Sequence, residues 1–195
     1  MATHKGLALL SFANKALFES WLSDNHARDD GIWLKFAKKG TGIPCITYEE
    51  AREVAIRYGW IDGLKNALDE RYYTLRFTKR RARSKWSKIN RAIAESLIAA
   101  KNMHAAGQVE VDSAKADGRW EKAYDSSSTM QVPSDFESAL AQNEAAKAKF
   151  ATVSRANRFA ILYQIHEAKK TETRAARIAK FVTMLAAGEV PHPNG

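Results

Sequence analysis

Cysteine is almost absent from the chain: Cys45 is the only one in 195 residues, so no disulfide can form within it. A lone thiol suits a reducing compartment, and with no base identified for it Cys45 reads as inert rather than nucleophilic. Long apolar runs are missing too. Leu7 to Phe12 is soon interrupted by Asn14 and Lys15 and has no small-residue cleavage site after it, which excludes a signal-peptide core. Nothing approaches the ~20 residues of a membrane helix. These absences predict a cytoplasmic protein with no membrane insertion. The histidines His4, His26, His104, His166 and His192 show no metal-ligand spacing, so neither a metal nor a cofactor is expected. His166 falls on the apolar stripe of a helix and is expected to be packed. No dinucleotide fingerprint, P-loop or GxSxG elbow occurs, and Gly40-Thr41-Gly42 lacks the Lys-Ser/Thr that a phosphate cradle needs. There is no internal repeat.

Acidic residues are missing from one stretch in particular. Arg71 to Ala94 holds nine Lys or Arg and no Asp or Glu, while the whole chain carries a formal net charge of +9. The remaining residues therefore balance, and the chain reads as a neutral body bearing one basic segment. Such a segment suits anionic partners, whether a small anionic ligand, an acidic protein partner or nucleic acid. The plain alternative is that the charge only aids solubility.

With 45% apolar residues and five Trp, six Tyr and eight Phe, a real core is expected. Leu7–Phe12 and Ile32–Ala37 read as strands, and between them Asn14 caps a helix with Leu17, Phe18, Trp21 and Leu22 on one side. Thr47 and Glu50 form a capping box for a helix to Tyr58. Gly59-Trp60-Ile61-Asp62-Gly63 reads as an apolar turn. Tyr72–Thr78 alternates as a half-buried strand, with Trp60–Lys65 as its hairpin partner. Ser84 is the expected cap of a helix from about Lys85, whose stripe is Trp86, Ile89, Ile93 and Leu97 and which Gly107 ends. A further short helix is placed over Val109–Asp117, and Gly118–Gln131 reads as a link. Ser134 and Glu137 resemble a second capping box, and helical patterns continue through Phe159, Leu162, Tyr163 and His166, then Ile178, Phe181, Val182 and Leu185. The class is α+β: a small mixed sheet of three to four strands packed with helices, then a helical C-terminal segment. The domain reading is 1–125, a helical unit 132–188, and a tail 189–195.

The candidate site is the β-hairpin and the basic segment after it. Trp60, Asp62, Arg76, Arg80, Arg81, Ser84, Trp86, Ser87 and Asn90 are the candidate residues for binding an anion or phosphate. Arginines grip oxyanions bidentately, and a helix N-terminus with serines adds donors. Cations crowded at a helix N-terminus oppose its dipole, which an anion would offset. Asp62 admits two readings: an acid paired with Arg76 or Arg80, or an aspartate fixing a tight turn before Gly63. Trp86 admits two also, as an apolar wall of the site with Trp60 or as core. Lys169, Arg174 and Arg177 make a second basic patch. No catalytic residue is identified.

These runs carry a resemblance. Gly59-Trp60-Ile61-Asp62-Gly63, Arg76-Phe77-Thr78, Arg80-Arg81, Ser84-x-Trp86-Ser87-x-x-Asn90, Ala106-Gly107 and Ala114-Lys115-x-Asp117-Gly118-Arg119-Trp120 resemble the YdeI/OmpD-associated, or bacteriocin-protection, family. So does Ala168-Lys169-x-x-Glu172-Thr173-Arg174-x-x-Arg177-Ile178. The resemblance spans roughly Phe12 to Gly188, with Lys79 where the family's pattern has proline. It implies a small α+β domain similar to YdhG-like proteins, a helical segment after it, and a role in stress or bacteriocin tolerance. It supplies no catalytic residues. Three readings follow. The first is a cytosolic, non-enzymatic binding protein with an anion-binding surface. The second is a nucleic-acid-binding protein using Arg71–Arg91. The third is a small enzyme on an anionic substrate with Asp62 as base.

Overall fold

The computed structural model describes residues 2–28, 30–127 and 129–193. The chain divides into two compact units, Met1–Tyr124 and Asp125–Gly195.

The first unit is built on a mixed sheet of β1 (Thr3–His4), β2 (Leu7–Leu10), β3 (Ile32–Ala37), β4 (Trp60–Ala67) and β5 (Tyr72–Lys79), in the order β1-β2-β3-β5-β4. The class is α+β, as the pattern indicates. The sheet has one strand more than three to four because Lys5-Gly6 turns the chain back and pairs Thr3–His4 with Leu7–Ala8. β2 and β3 run parallel, joined through helix α1 (Lys15–Asn25), which Asn14 caps. β5 lies antiparallel to both β3 and β4. Helix α2 (Tyr48–Arg57) starts at a complete Thr47–Glu50 capping box. Ala51, Val54 and Ala55 from its buried stripe join Phe18, Leu22, Leu34, Phe36 and Phe77 in the main core.

The Trp60–Gly63 segment is not a turn. The break comes at Gly59, whose φ of +77° is left-handed and whose Cβ position lies 2.8 Å from the Ala106 carbonyl. Asp62 and Gly63 sit inside β4, where the register shifts before Lys65. A bulge absorbs the turn-prone dipeptide because β5 supplies a full-length partner strand.

Helix α3 (Lys88–Ala99) begins three residues later than Ser84 predicts, with Ser87 as its cap. Both serines can cap a helix. The choice goes to Ser87 because Trp86 must be extended to reach its core, where it is 1% exposed and edge-on to Trp120 at 4.8 Å. Tyr124 holds that extension, its N–H donating to the Trp86 carbonyl and its carbonyl accepting from Lys88 N–H. α3 ends before Lys101, at φ +56°, so Gly107 does not end it. Gly107 lies within α4 (Ala105–Ala116), where a Cβ would fall 2.3 Å from the Arg57 carbonyl oxygen. The absence of that Cβ lets α4 lie against the end of α2. Trp86, Leu97, Val111, Ala114 and Trp120 with Ile56 form a second core.

The second unit is helical: α5 (Ser134–Ala141), α6 (Glu144–Thr152), α7 (Arg155–His166) and α8 (Thr171–Ala186). Phe136, Phe150, Ile161, Leu162, Ile165, Phe181 and Leu185 fill its core. The expected Ser134 capping box is not formed. Pro133 occupies the cap position and makes no side-chain cap bond. Asp135 accepts from Phe136 N–H instead and turns its carboxylate to Arg174. His166 is exposed rather than packed, with its ring Nε2 3.2 Å from the Gln131 carbonyl.

Candidate functional site

The β4–β5 hairpin and the loop leading to α3 distribute the candidate residues over different environments. Strand alternation separates Asp62 from Arg76. Asp62 pairs with Phe77 across the ladder and so shares the helix-packed face, while Arg76 pairs with Trp33 on the opposite face. Asp62 is half-buried and accepts a 2.9 Å hydrogen bond from the Tyr48 hydroxyl. Its partner is that phenol and not Arg76. Burial, then the Asp62 charge, pushes the Tyr48 pKa far above its ordinary value. Trp60 is fully buried and donates Nε1–H to the His26 carbonyl at 2.8 Å. Trp60 and Trp86 are both core residues and form no open wall.

Arg80 turns inward. It is 4% exposed, its backbone N–H donates to the Gly59 carbonyl, and its guanidinium lies 3.6 Å from the centre of the Trp86 ring. One nitrogen, Nη1, donates to the Lys85 carbonyl at 3.2 Å. Burial pulls the Arg80 pKa down to about 10; Glu110, Tyr124 and Asp62 act the other way, and Arg119 adds to the fall.

The loop beyond Arg80 is tied down by its own chemistry. Ser84 Oγ accepts from Arg81 N–H at 2.9 Å, closing a short turn rather than capping a helix. The Ser84 carbonyl accepts from Arg119 Nη1 at 2.8 Å, and Arg119 also pairs with Asp117 at 2.7 Å. The Asp117-Gly118-Arg119-Trp120 motif points to Arg119, but only the fold shows it gripping the Ser84 loop 35 residues away. Arg81 and Arg83 are exposed, and among the described residues no carboxylate pairs with either. The N-terminus of α3 does not carry the expected crowd of cations over open donors. Asn90 N–H goes to Ser87 Oγ, Arg91 N–H to the Ser87 carbonyl and Lys88 N–H to the Tyr124 carbonyl. Ser87 and Asn90 are buried parts of that cap.

The Lys169, Arg174 and Arg177 patch does different work. Arg174 grips Asp135 with Nε and Nη2 at 2.6 and 2.9 Å and donates Nη1–H to the Ile165 carbonyl at 2.9 Å. Arg177 donates to the Gln164 carbonyl. Both guanidiniums therefore cap the last turn of α7, where carbonyls lack helical partners and the dipole favours cations. Lys169 is exposed.

The fold also joins residues that are distant in sequence. The His26 and His104 rings meet at 4.8 Å, and Tyr58 lies 4.7 Å from His104. His104 Nδ1 accepts from Ala106 N–H and so caps α4. Burial first, then His26 and Arg57, holds the His104 imidazole below its usual pKa. Among the described residues no group of three His, Cys, Asp or Glu is placed to hold a metal ion, and no helix is long and apolar enough to cross a membrane.

Comparison with known proteins divides the chain in the same sense. Residues 10–110 match a family described as a domain of unknown function (DUF8412). Residues 129–188 match the family described as Bacteriocin-protection, YdeI or OmpD-Associated. The resemblance drawn over Phe12 to Gly188 is thus supported for the helical unit, while the motifs from Gly59 to Gly107 fall within the first match. That match gives no support to the expected similarity to YdhG-like proteins. No curated protein and no solved structure matches the chain.

Proposed function

Because the chain belongs to the DUF8412 family, a domain of unknown function, and carries a bacteriocin-protection-type helical segment, we propose that it is a binding protein without a reaction of its own. Its role is of the bacteriocin- or stress-tolerance kind, in the cytosol, where its single unpaired cysteine stays reduced. It acts by holding an extended anionic partner on the loop between β5 and α3. The observation that carries this is the pair Arg81 and Arg83: exposed, without a carboxylate partner among the described residues, and displayed on a loop that Arg80 and Arg119 hold from inside. A held loop loses less entropy on binding, and two free guanidiniums suit phosphate or carboxylate groups. An enzyme using Asp62 as base has less support, since that carboxylate is engaged by Tyr48.

The test is fluorescence anisotropy with labelled single-stranded RNA, double-stranded DNA and a polyglutamate peptide, at low and physiological salt, with Arg81→Glu/Arg83→Glu alongside. Binding that persists at physiological salt and is lost in the double variant supports the reading and identifies the class of partner. No binding to any probe, or equal binding by both proteins, sinks it.

A further inference from the structure

The donors around Arg80 point to a second, interior feature. A guanidinium has one edge, formed by Nε–H and an Nη2–H, that matches the two oxygens of a carboxylate or phosphate. In this chain Arg28 presents that edge to Asp30, at 3.0 and 2.6 Å, and Arg174 presents it to Asp135. Arg80 is far more buried than either, yet its Nε and Nη2 make no hydrogen bond to any of the described residues. The indole Nε1–H of Trp86, on the ring against which Arg80 is stacked, is likewise buried without an acceptor among the described residues.

One stacked pair therefore holds three buried donors with no acceptor among the described residues. Each buried donor left in that condition costs about 1–3 kcal/mol, and a buried guanidinium without a counter-charge costs more. Glu110 and Asp62 influence Arg80 through their charge, but neither bonds to it. The Ser84 and Lys85 carbonyls are taken by Arg119 and by Arg80 Nη1. An oxyanion presenting two coplanar oxygens satisfies both donors of that edge at once and supplies the missing counter-charge.

We propose that the Nε–Nη2 edge of Arg80, backed by the Trp86 ring, is a binding site for the carboxylate or phosphate group of a small ligand. The site is distinct from the exposed Arg81–Arg83 surface and does not depend on it. Lysine at this position keeps the charge but not the fork, so Arg80→Lys separates a bidentate oxyanion site from a general attraction for anions.

The experiment is an NMR titration of the full chain labelled with 15N-arginine, using sodium phosphate in one arm and sodium acetate in the other, with ionic strength held constant by chloride. The expected result is a saturable movement of the Arg80 Nε–H signal in at least one arm, while the Arg28 and Arg174 signals, whose edges already hold carboxylates, stay in place. Saturation with acetate alone assigns a carboxylate ligand, and with phosphate alone a phosphate. In parallel, the thermal midpoint of Arg80→Lys should lose the saturable rise that the anion gives the wild type, with apparent affinity at least about tenfold weaker. An Arg80 signal that stays still, or that drifts without saturating, overturns the proposal. So does an Arg80 signal displaced by Glu110→Gln with no anion added, because Glu110 would then be the edge's own partner. If Arg80→Lys fails to fold, the wild-type titration still decides.

Discussion

Replacing Gly107 with alanine tests the close approach of α4 to the end of α2. Within a helix that exchange ordinarily stabilises by about 0.5–1 kcal/mol, because glycine loses more backbone entropy on folding. Here the sign should reverse. The new Cβ would lie 2.3 Å from the Arg57 carbonyl oxygen, 2.8 Å from that of Ile56 and 2.6 Å from Met103 Sδ. Met103 can move, but the two carbonyls belong to the last turn of α2 and cannot. Separating α4 from α2 by the distance required would loosen Val111 and Ala114 from Ile56 and Trp120. Overpacking of this kind costs about 1–3 kcal/mol, and the two unyielding carbonyls argue for the upper end, leaving a net loss of about 2 kcal/mol after the entropy gain. All five tryptophans, at positions 21, 33, 60, 86 and 120, lie in the first unit, so their fluorescence follows that unit alone. With a urea slope of about 2 kcal/mol/M the midpoint should fall by about 1 M. A Gly107→Ala protein that unfolds at the same or higher urea would show that α4 does not approach α2 as described.

Three further outcomes follow from the same contacts. His104 has a lowered pKa, so the folded unit binds fewer protons than the unfolded chain just below pH 6.5, the ordinary histidine value. Stability of the first unit should therefore fall as the pH drops through about 6.5 and level off below the folded pKa; His104→Asn, which keeps a capping acceptor but does not titrate, should flatten that slope in urea midpoints measured across this range. Tyr48 has a raised pKa, so stability should be lost as the pH rises above about 10. In an alkaline absorbance titration the Tyr48 phenol should resist ionisation until unfolding, while Tyr73, whose pKa burial also raises, ionises late as well; Tyr48→Phe should remove the Tyr48 contribution and cost about 1–2 kcal/mol through the lost Asp62 bond. Asp135 has a pKa lowered by the Arg174 hydrogen bond, so its contribution is present above about pH 3.9 and lost as the pH falls through the folded value. The pair is partly exposed, 27% at Arg174 and 46% at Asp135, and after solvent screening is worth about 1 kcal/mol or less. Arg174→Gln should nonetheless speed amide exchange in α8 and the last turn of α7 at neutral pH, since it also removes the guanidinium hydrogen bond to the Ile165 carbonyl, which Ala168 N–H alone then supports more weakly. Exchange unchanged from the wild type would refute the capping role.

What the sequence determined by itself is what neighbouring residues settle among themselves. The Thr47–Glu50 capping box, the Asn14 cap, the alternation of Tyr73, Leu75 and Phe77, and the stripe of α8 all appear in the fold as read, whereas α7 buries Ile161, Leu162 and Ile165 and leaves His166 outside. Each depends on hydrogen bonds or periodicity within a few residues. The α+β order and the basic segment were legible for the same reason.

Tertiary structure decided wherever two local choices were nearly equal. Ser84 and Ser87 differ little as caps, by a fraction of the ~1 kcal/mol that a cap contributes. Burying Trp86 against Trp120 is worth about 2–3 kcal/mol and selects Ser87. Asp62-Gly63 favours a turn by itself, but a ladder with β5 draws it into a strand. The basic run shows most clearly what a charge count omits. Arg80 is inside on Trp86, Arg81 and Arg83 are outside, and Arg174 is a strut bound to Asp135, 39 residues away. Identical side chains acquire opposite roles because the desolvation of a charge depends on which surfaces close around it, and distant parts of the chain supply those surfaces.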